Sequence, residues 1–216
     1  MEGPRVSIDT TIGDVHSVSL QMIAMLSVKA DSVAPLLFEI QAQREVAEQI
    51  ELHEMNGLLT IDQKRCLTEY EEVAMRLNTR TIKALELGSA GKIESAGIIP
   101  SEELRLTNEG LGDMDITCMA DRLIGAIKSS GDMVLNGYAR RFDFLSTSSG
   151  DLRAYNLVCD TIDLTIAGTS IIEVYTDGYL RVHFLQPGKV YYRGNPEHIE
   201  VIGEGQLLDQ NLIANQ

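Results

Sequence analysis

The stretch Ser129-Ser130-Gly131-Asp132-Met133 returns as Ser148-Ser149-Gly150-Asp151-Leu152, with a short apolar run through Phe144 between the two copies. From residue 85 onward the same unit recurs: a short apolar strand, a Gly/Ser-rich turn, another short strand. The other turns read Leu87-Gly88-Ser89-Ala90-Gly91, Glu109-Gly110-Leu111-Gly112, Gly168-Thr169-Ser170, Gln186-Pro187-Gly188 and Gly203-Glu204-Gly205. Their last residues fall at 91, 112, 131, 150, 170, 188 and 205. A unit of about twenty residues cannot bury its own apolar face, so this period predicts a solenoid of stacked coils.

Two columns test the register. Two places after each turn stand Ile93, Met114, Met133, Leu152, Ile172, Val190 and Leu207, all apolar. Six places before the turn residue stand Leu85, Leu106, Phe144, Leu164, Val182 and Ile199, with Gly125 as the one break. Around them runs a period-2 alternation, as in Ile162-Asp163-Leu164-Thr165-Ile166, which turns apolar side chains inward and polar ones outward. The small differences in repeat length are assigned to the turns, because a strand that slips by one residue turns its core face to solvent. The expected fold is all-β, a parallel β-helix of about seven coils, taken as one domain over 1–216. Residues 71–208 form the coils, 209–216 a C-terminal tail and 1–70 a less regular N-terminal cap containing a short helix. Within the cap, Val6–Ile8, Met25–Val28 and Leu58–Ile61 read as strands, the last after the turn signal Asn56-Gly57. Residues 33–50 carry apolar positions and helix formers that predict one or two short helices, and Glu69–Leu77 reads as a strand.

Composition narrows the function. Eighteen basic and 32 acidic side chains give a net charge of −14, which repels a phosphate backbone and argues against nucleic acid as a partner. Trp is absent, and any stacking platform has to come from seven Tyr and four Phe. Cys66, Cys118 and Cys159 form no CxxC pair and read as small apolar residues rather than a disulfide or zinc framework. No apolar run is long enough for a membrane-spanning helix. The opening Met1-Glu2-Gly3-Pro4-Arg5 lacks the basic and apolar regions of a signal peptide, so the expectation is a cytoplasmic protein or a mature form after leader removal.

The SSGD turns, followed by Lys189-Val190-Tyr191-Tyr192-Arg193-Gly194-Asn195-Pro196 and Ile199 to Gly205, resemble the bacterial family called putative auto-transporter adhesin, head GIN domain. The resemblance covers roughly residues 5 to 208 and includes the NGLLTI-like strand at Asn56 to Ile61. Ser170, Gln186-Pro187 and Glu204 depart from the usual Gly/Ser turns. The resemblance implies a right-handed β-helix in an exported protein of bacteria such as the Bacteroidetes, at the periplasm or cell surface. It carries no catalytic residue set and no cofactor.

The reading is therefore a non-enzymatic adhesin-like or scaffolding protein of the cell envelope, facing an unidentified protein or polysaccharide. A polysaccharide lyase or hydrolase and a self-associating structural protein are the alternatives. Asp113, Asp132 and Asp151 each follow a turn glycine and should stack into a ladder. Calcium held there, with Asp115 nearby, is weighed against plain Gly-Asp turn chemistry on a solvated corner, and the latter is preferred. Arg140-Arg141 and Arg153 are placed either toward a sugar acid or against Asp143 and Asp151. His16, His53, His183 and His198 lack metal-site spacing, although His183 and His198 fall on neighbouring coils. Tyr155, Tyr175, Tyr179, Tyr191 and Tyr192 are read mainly as core-flanking rings with wet hydroxyls, and secondarily as a contact patch. Leu207–Ile213 is expected to fold over the last coil or to pair with another molecule, so a homo-oligomer is a second expectation.

Overall fold

A computed structural model describes residues 4–65 and 71–211. The elements run β1 (Arg5–Thr10), β2 (Ser17–Leu20), β3 (Met25–Ala30), β4 (Leu37–Gln43), α1 (Arg44–Ala47), β5 (Ile50–Met55), β6 (Leu58–Gln63) and β7 (Ala74–Thr79). They continue as β8 (Ala84–Leu87), β9 (Lys92–Ser95), β10 (Ile99–Asn108), β11 (Asp113–Ile127), β12 (Met133–Ser146) and β13 (Leu152–Ile166). The last are β14 (Ile171–Phe184), β15 (Lys189–Arg193), β16 (His198–Ile202) and β17 (Gln206–Asp209). The described residues form an all-β solenoid of about seven turns with one short helix. Cys66, Glu69, Leu212 and Ile213, part of the sequence expectations, lie outside the described residues.

The seven-residue column after the turns is one continuous inner stripe. Ile93 pairs with Met114, Met114 with Met133, Met133 with Leu152, Leu152 with Ile172, Ile172 with Val190 and Val190 with Leu207. All are buried except Leu207, on the last rung, which packs half-buried against the core. Each parallel step adds one apolar side chain against the last, and burying a Leu, Ile or Met contributes roughly 1.5–3 kcal/mol. The second column runs Leu85, Leu106, Gly125, Phe144, Leu164 and Val182 in register. Its last member is Val201, not Ile199, which pairs with Leu180 instead. Counted between register partners, the turn between β16 and β17 is two residues shorter than the turn between β14 and β15, and a two-residue change leaves no trace in the alternation.

Gly125, the break in that column, is a fit rather than a defect. A Cβ there would stand 2.8 Å from Phe144 Cδ2, so the missing side chain makes room for the ring above it. Phe144 in turn packs at a tilt on Phe142, with centroids 5.6 Å apart.

Some changes of repeat length fall in connections, such as the turn between β16 and β17, but two long strand pairs carry theirs inside the strands. Between β12 and β13 the register shifts between Val134 and Asn136, and between β13 and β14 it shifts at Ala154/Val158 and Cys159/Thr161. These irregularities sit where each long strand bends around the outside of the coil. A bend interrupts the alternation, so an extra residue there does not invert the core face.

The N-terminal region departs most from expectation. The predicted helix over 33–50 is replaced by strand β4 and a single four-residue helix, Arg44–Ala47. Phe38, Ile40 and Ala42 are buried at period 2, and β4 pairs antiparallel with both β1 and β7. The strands expected near Val6–Ile8, Met25–Val28 and Leu58–Ile61 are β1, β3 and β6. The strand expected over 69–77 begins, among described residues, at Ala74. β2 and β3 together form one rung of the solenoid, placed out of sequence order. β2 lies between β6 and β8, and β3 between β7 and β9.

Candidate functional site

The predicted aspartate ladder exists, and the backbone uses it. Asp132 N donates to Asp113 Oδ1 at 3.0 Å, Asp151 N to Asp132 Oδ1 at 2.9 Å, and Ile171 N to Asp151 Oδ1 at 2.8 Å. Each carboxylate thus satisfies the next coil's N–H where the turn carries the main chain past its neighbour. Asp132 also takes the Arg153 guanidinium at 3.0 Å, so Arg153 pairs with Asp132 rather than with Asp151. Asp115 instead accepts from Asn136 Nδ2 at 3.4 Å. Among the described residues no group of three or more His, Cys, Asp and Glu is arranged to hold a metal ion.

The arginines lie on the outer face of the run that leads into each turn. Arg122 reaches Asp143 at 2.8 Å, Arg141 reaches Asp143 at 2.7 Å and Asp163 at 3.5 Å, and Arg181 bridges Asp163 at 3.3 Å to Glu200 at 2.9 Å. Glu103 completes the row 3.6 Å from Arg122. Half-burial raises the Asp143 carboxyl, but hydrogen bonds from Arg141 and Arg122 outweigh it and hold the group below its usual range. Glu200 is lowered by hydrogen bonds from Tyr179 and Arg181. Arg140 stands apart, 3.6 Å from Asp121. Charges on this face therefore cancel one another from coil to coil.

The middle of each coil presents a different surface. Pro100 is in register with Met119, Met119 with Tyr138, Tyr138 with Val158, Val158 with Tyr175 and Tyr175 with Arg193. The column faces outward, and Met119, Tyr138 and Val158 are 56%, 36% and 46% exposed. Stacked at roughly 4.8 Å per coil, they form a straight apolar stripe. Its rim is acidic. Tyr138 donates its hydroxyl to Asp160 at 2.7 Å, and Tyr175 donates to Asp177 at 2.8 Å. These bonds raise both phenols, keeping them protonated donors. At the Pro100 end the stripe opens into a groove of about 620 Å³ lined by Thr81, Lys83, Glu102 and Glu103. A second groove, of about 600 Å³, runs along the turns beside Ile23, Leu111 and Asp113.

The remaining candidates have plain roles. Cys118 and Cys159 are buried free thiols, and burial pushes Cys118 up to about 12, far from a reactive thiolate. His198 is aligned with Tyr179 and stacks on its ring at 5.0 Å, while His183 is aligned with Ile202. Arg193 lies 4.0 Å over the Tyr155 ring. Tyr138 and Met119 keep the register set by the turns and escaped the sequence reading because that reading followed the inward columns, not the outward ones.

The family described as putative auto-transporter adhesin, head GIN domain, matches residues 27–196. The chain belongs to this family. No curated protein matches it. Among solved structures it is similar to a putative adhesin from Bacteroides fragilis, with a TM-score of 0.90 at 14% identity over 96% of this chain and 98% of that one. A putative adhesin from Parabacteroides merdae gives 0.74 at 16% identity, with 96% of each chain covered. A structure named as a putative lipid binding protein from Parabacteroides distasonis gives 0.73 at 16% identity, covering 96% of this chain and 97% of that one. At these identities the likeness concerns the fold.

Proposed function

We propose that this family member is a non-enzymatic contact protein of the bacterial envelope, and that the stripe from Pro100 to Tyr175 holds a neutral polysaccharide. The observation that carries the reading is that the exposed side chains of Met119, Tyr138 and Val158 line up on consecutive coils. Flat apolar and tyrosine surfaces take the C–H faces of sugar rings, and the flanking Asp160 and Asp177 carboxylates accept hydrogen bonds from hydroxyls. The acidic rim and the net charge of −14 disfavour a polyanionic chain. The linear spacing suits an extended polymer better than a compact ligand. The paired arginines and aspartates of the neighbouring face support a structural role for those groups, because each already has its counter-charge.

The test is retention on immobilised neutral and acidic polysaccharides from the bacterial envelope. Wild type is expected to be retained by a neutral polymer. Met119→Ala combined with Tyr138→Ala should weaken retention by about tenfold, equivalent to about 1.4 kcal/mol, with an unchanged melt. Equal retention of the variant, or preference for the acidic polymer, contradicts the assignment.

A further inference from the structure

The rung formed by β2 and β3 is made of early residues, yet both of its neighbours are made of later ones. On one side Ser17–Leu20 pairs with Leu58–Ile61, and Met25–Ala30 with Ala74–Thr79. On the other, Ser17–Leu20 pairs with Ala84–Leu87, and Met25–Val28 with Lys92–Ser95. β1 pairs with β4, again a later strand. Residues 4–30 thus contribute three strands, and every strand pairing they make among the described residues is with residues 37–95. The neighbouring rungs leave a slot one strand wide, closed by Val18, Leu20, Leu26 and Val28, which are wholly buried. Main-chain bonds clamp both edges: Gln21 N to Ile61 O at 2.9 Å, Met25 N to Val73 O at 2.8 Å, and Lys92 N to Ala24 O at 2.8 Å.

One short connection, residues 31–36, joins this segment to the rest, with Leu36 packed against the core at its end. Val33 at its centre is 91% exposed, and Asp31 accepts from Val33 N at 3.0 Å and Ala34 N at 3.1 Å. Those two bonds are local and survive a change in the direction the connection leaves.

We propose that the slot is an exchange site, filled either by a chain's own residues 4–30 or by residues 4–30 of a second copy. Both fillings make the same pairings and bury the same side chains. The choice between them is then set by the effective concentration of the tethered segment against that of free chains. Because the slot opens only when two rungs part, exchange occurs while chains fold, not among folded chains. A reciprocal exchange gives a closed pair, and a one-way exchange gives an open chain of molecules linked through their N-terminal ends. This association is independent of the polysaccharide stripe, which lies on later coils.

Ser27 and Glu94 are register partners across the slot. Full-length S27C and full-length E94C are unfolded together, refolded as an equimolar mixture over a range of concentrations and oxidised. The linked peptides are then identified by mass spectrometry. The doubly substituted chain S27C/E94C reports filling in cis by an intrachain link. The expected result is a disulfide between residue 27 of one chain and residue 94 of another, rising in proportion to protein concentration. Absence of that link at every concentration, with the intrachain link formed in the double variant, overturns the proposal. Failure of the double variant to link also overturns it, because the register on which the slot rests would be wrong.

Discussion

Gly131 shows what a single residue contributes to this stack. A Cβ at that position would stand 1.9 Å from Gly112 O, which is backbone and has no room to move. Gly131→Ala should therefore lower stability by about 2 kcal/mol or more, read as a lower midpoint in chemical denaturation. Ser170 occupies the corresponding turn position two coils later, with its hydroxyl 2.5 Å from Ser146 Oγ and 2.9 Å from Ser148 O. A side chain is accepted there because it brings its own buried partners. Leu152 and Leu164 sit in the middle of the two inner columns, and either one changed to Asp buries an unpaired charge. Loss of the cooperative melt is the expected outcome, and a wild-type melt would show the register to be misdrawn. Turn glycines and inner apolar residues were readable from sequence because they repeat at one spacing. Val201 was not, since a two-residue shift preserves the alternation that reveals the face.

Elements are tied together across coils by carboxylates. Removing one in Asp132→Ala strands the Asp151 N–H and frees Arg153, and should cost about 1–2 kcal/mol in denaturant unfolding. The arginine row predicts acid sensitivity. Asp143 and Glu200 are held below their ordinary values in the folded chain. Their contribution is fully present above the unfolded carboxylate range, near pH 4, and is lost as pH falls through the depressed values. Melting temperature should stay level from pH 7 to about pH 5 and drop below pH 4, and Arg141→Ala should shrink that drop. An equal drop in the variant would assign the acid sensitivity to other groups. At this scale the sequence misled in one place. Leu36, Leu37, Ile40 and Val46 suit a helix, yet Phe38, Ile40 and Ala42 alternate inward because β1 and β7 flank them. Pairing with distant strands overrode local preference.

The order of the rungs belongs to the whole molecule, and no local pattern encodes it. Met25–Val28 reads as a strand from its own residues, but its place between two later rungs follows only from the packed stack. The outward stripe was hidden for a related reason. Met119 and Tyr138 share the unbroken register of β11 and β12, but Val158 joins them through a mid-strand irregularity that a turn-based repeat does not register. The central claim is that this surface holds a polymer without cutting it. The most direct measurement incubates the protein with a panel of envelope polysaccharides and follows, in the same samples, bound protein and newly released sugar ends. The account predicts binding to at least one neutral polymer with no new reducing or unsaturated ends. Release of product would contradict it and turn attention to the carboxylates of the outer faces.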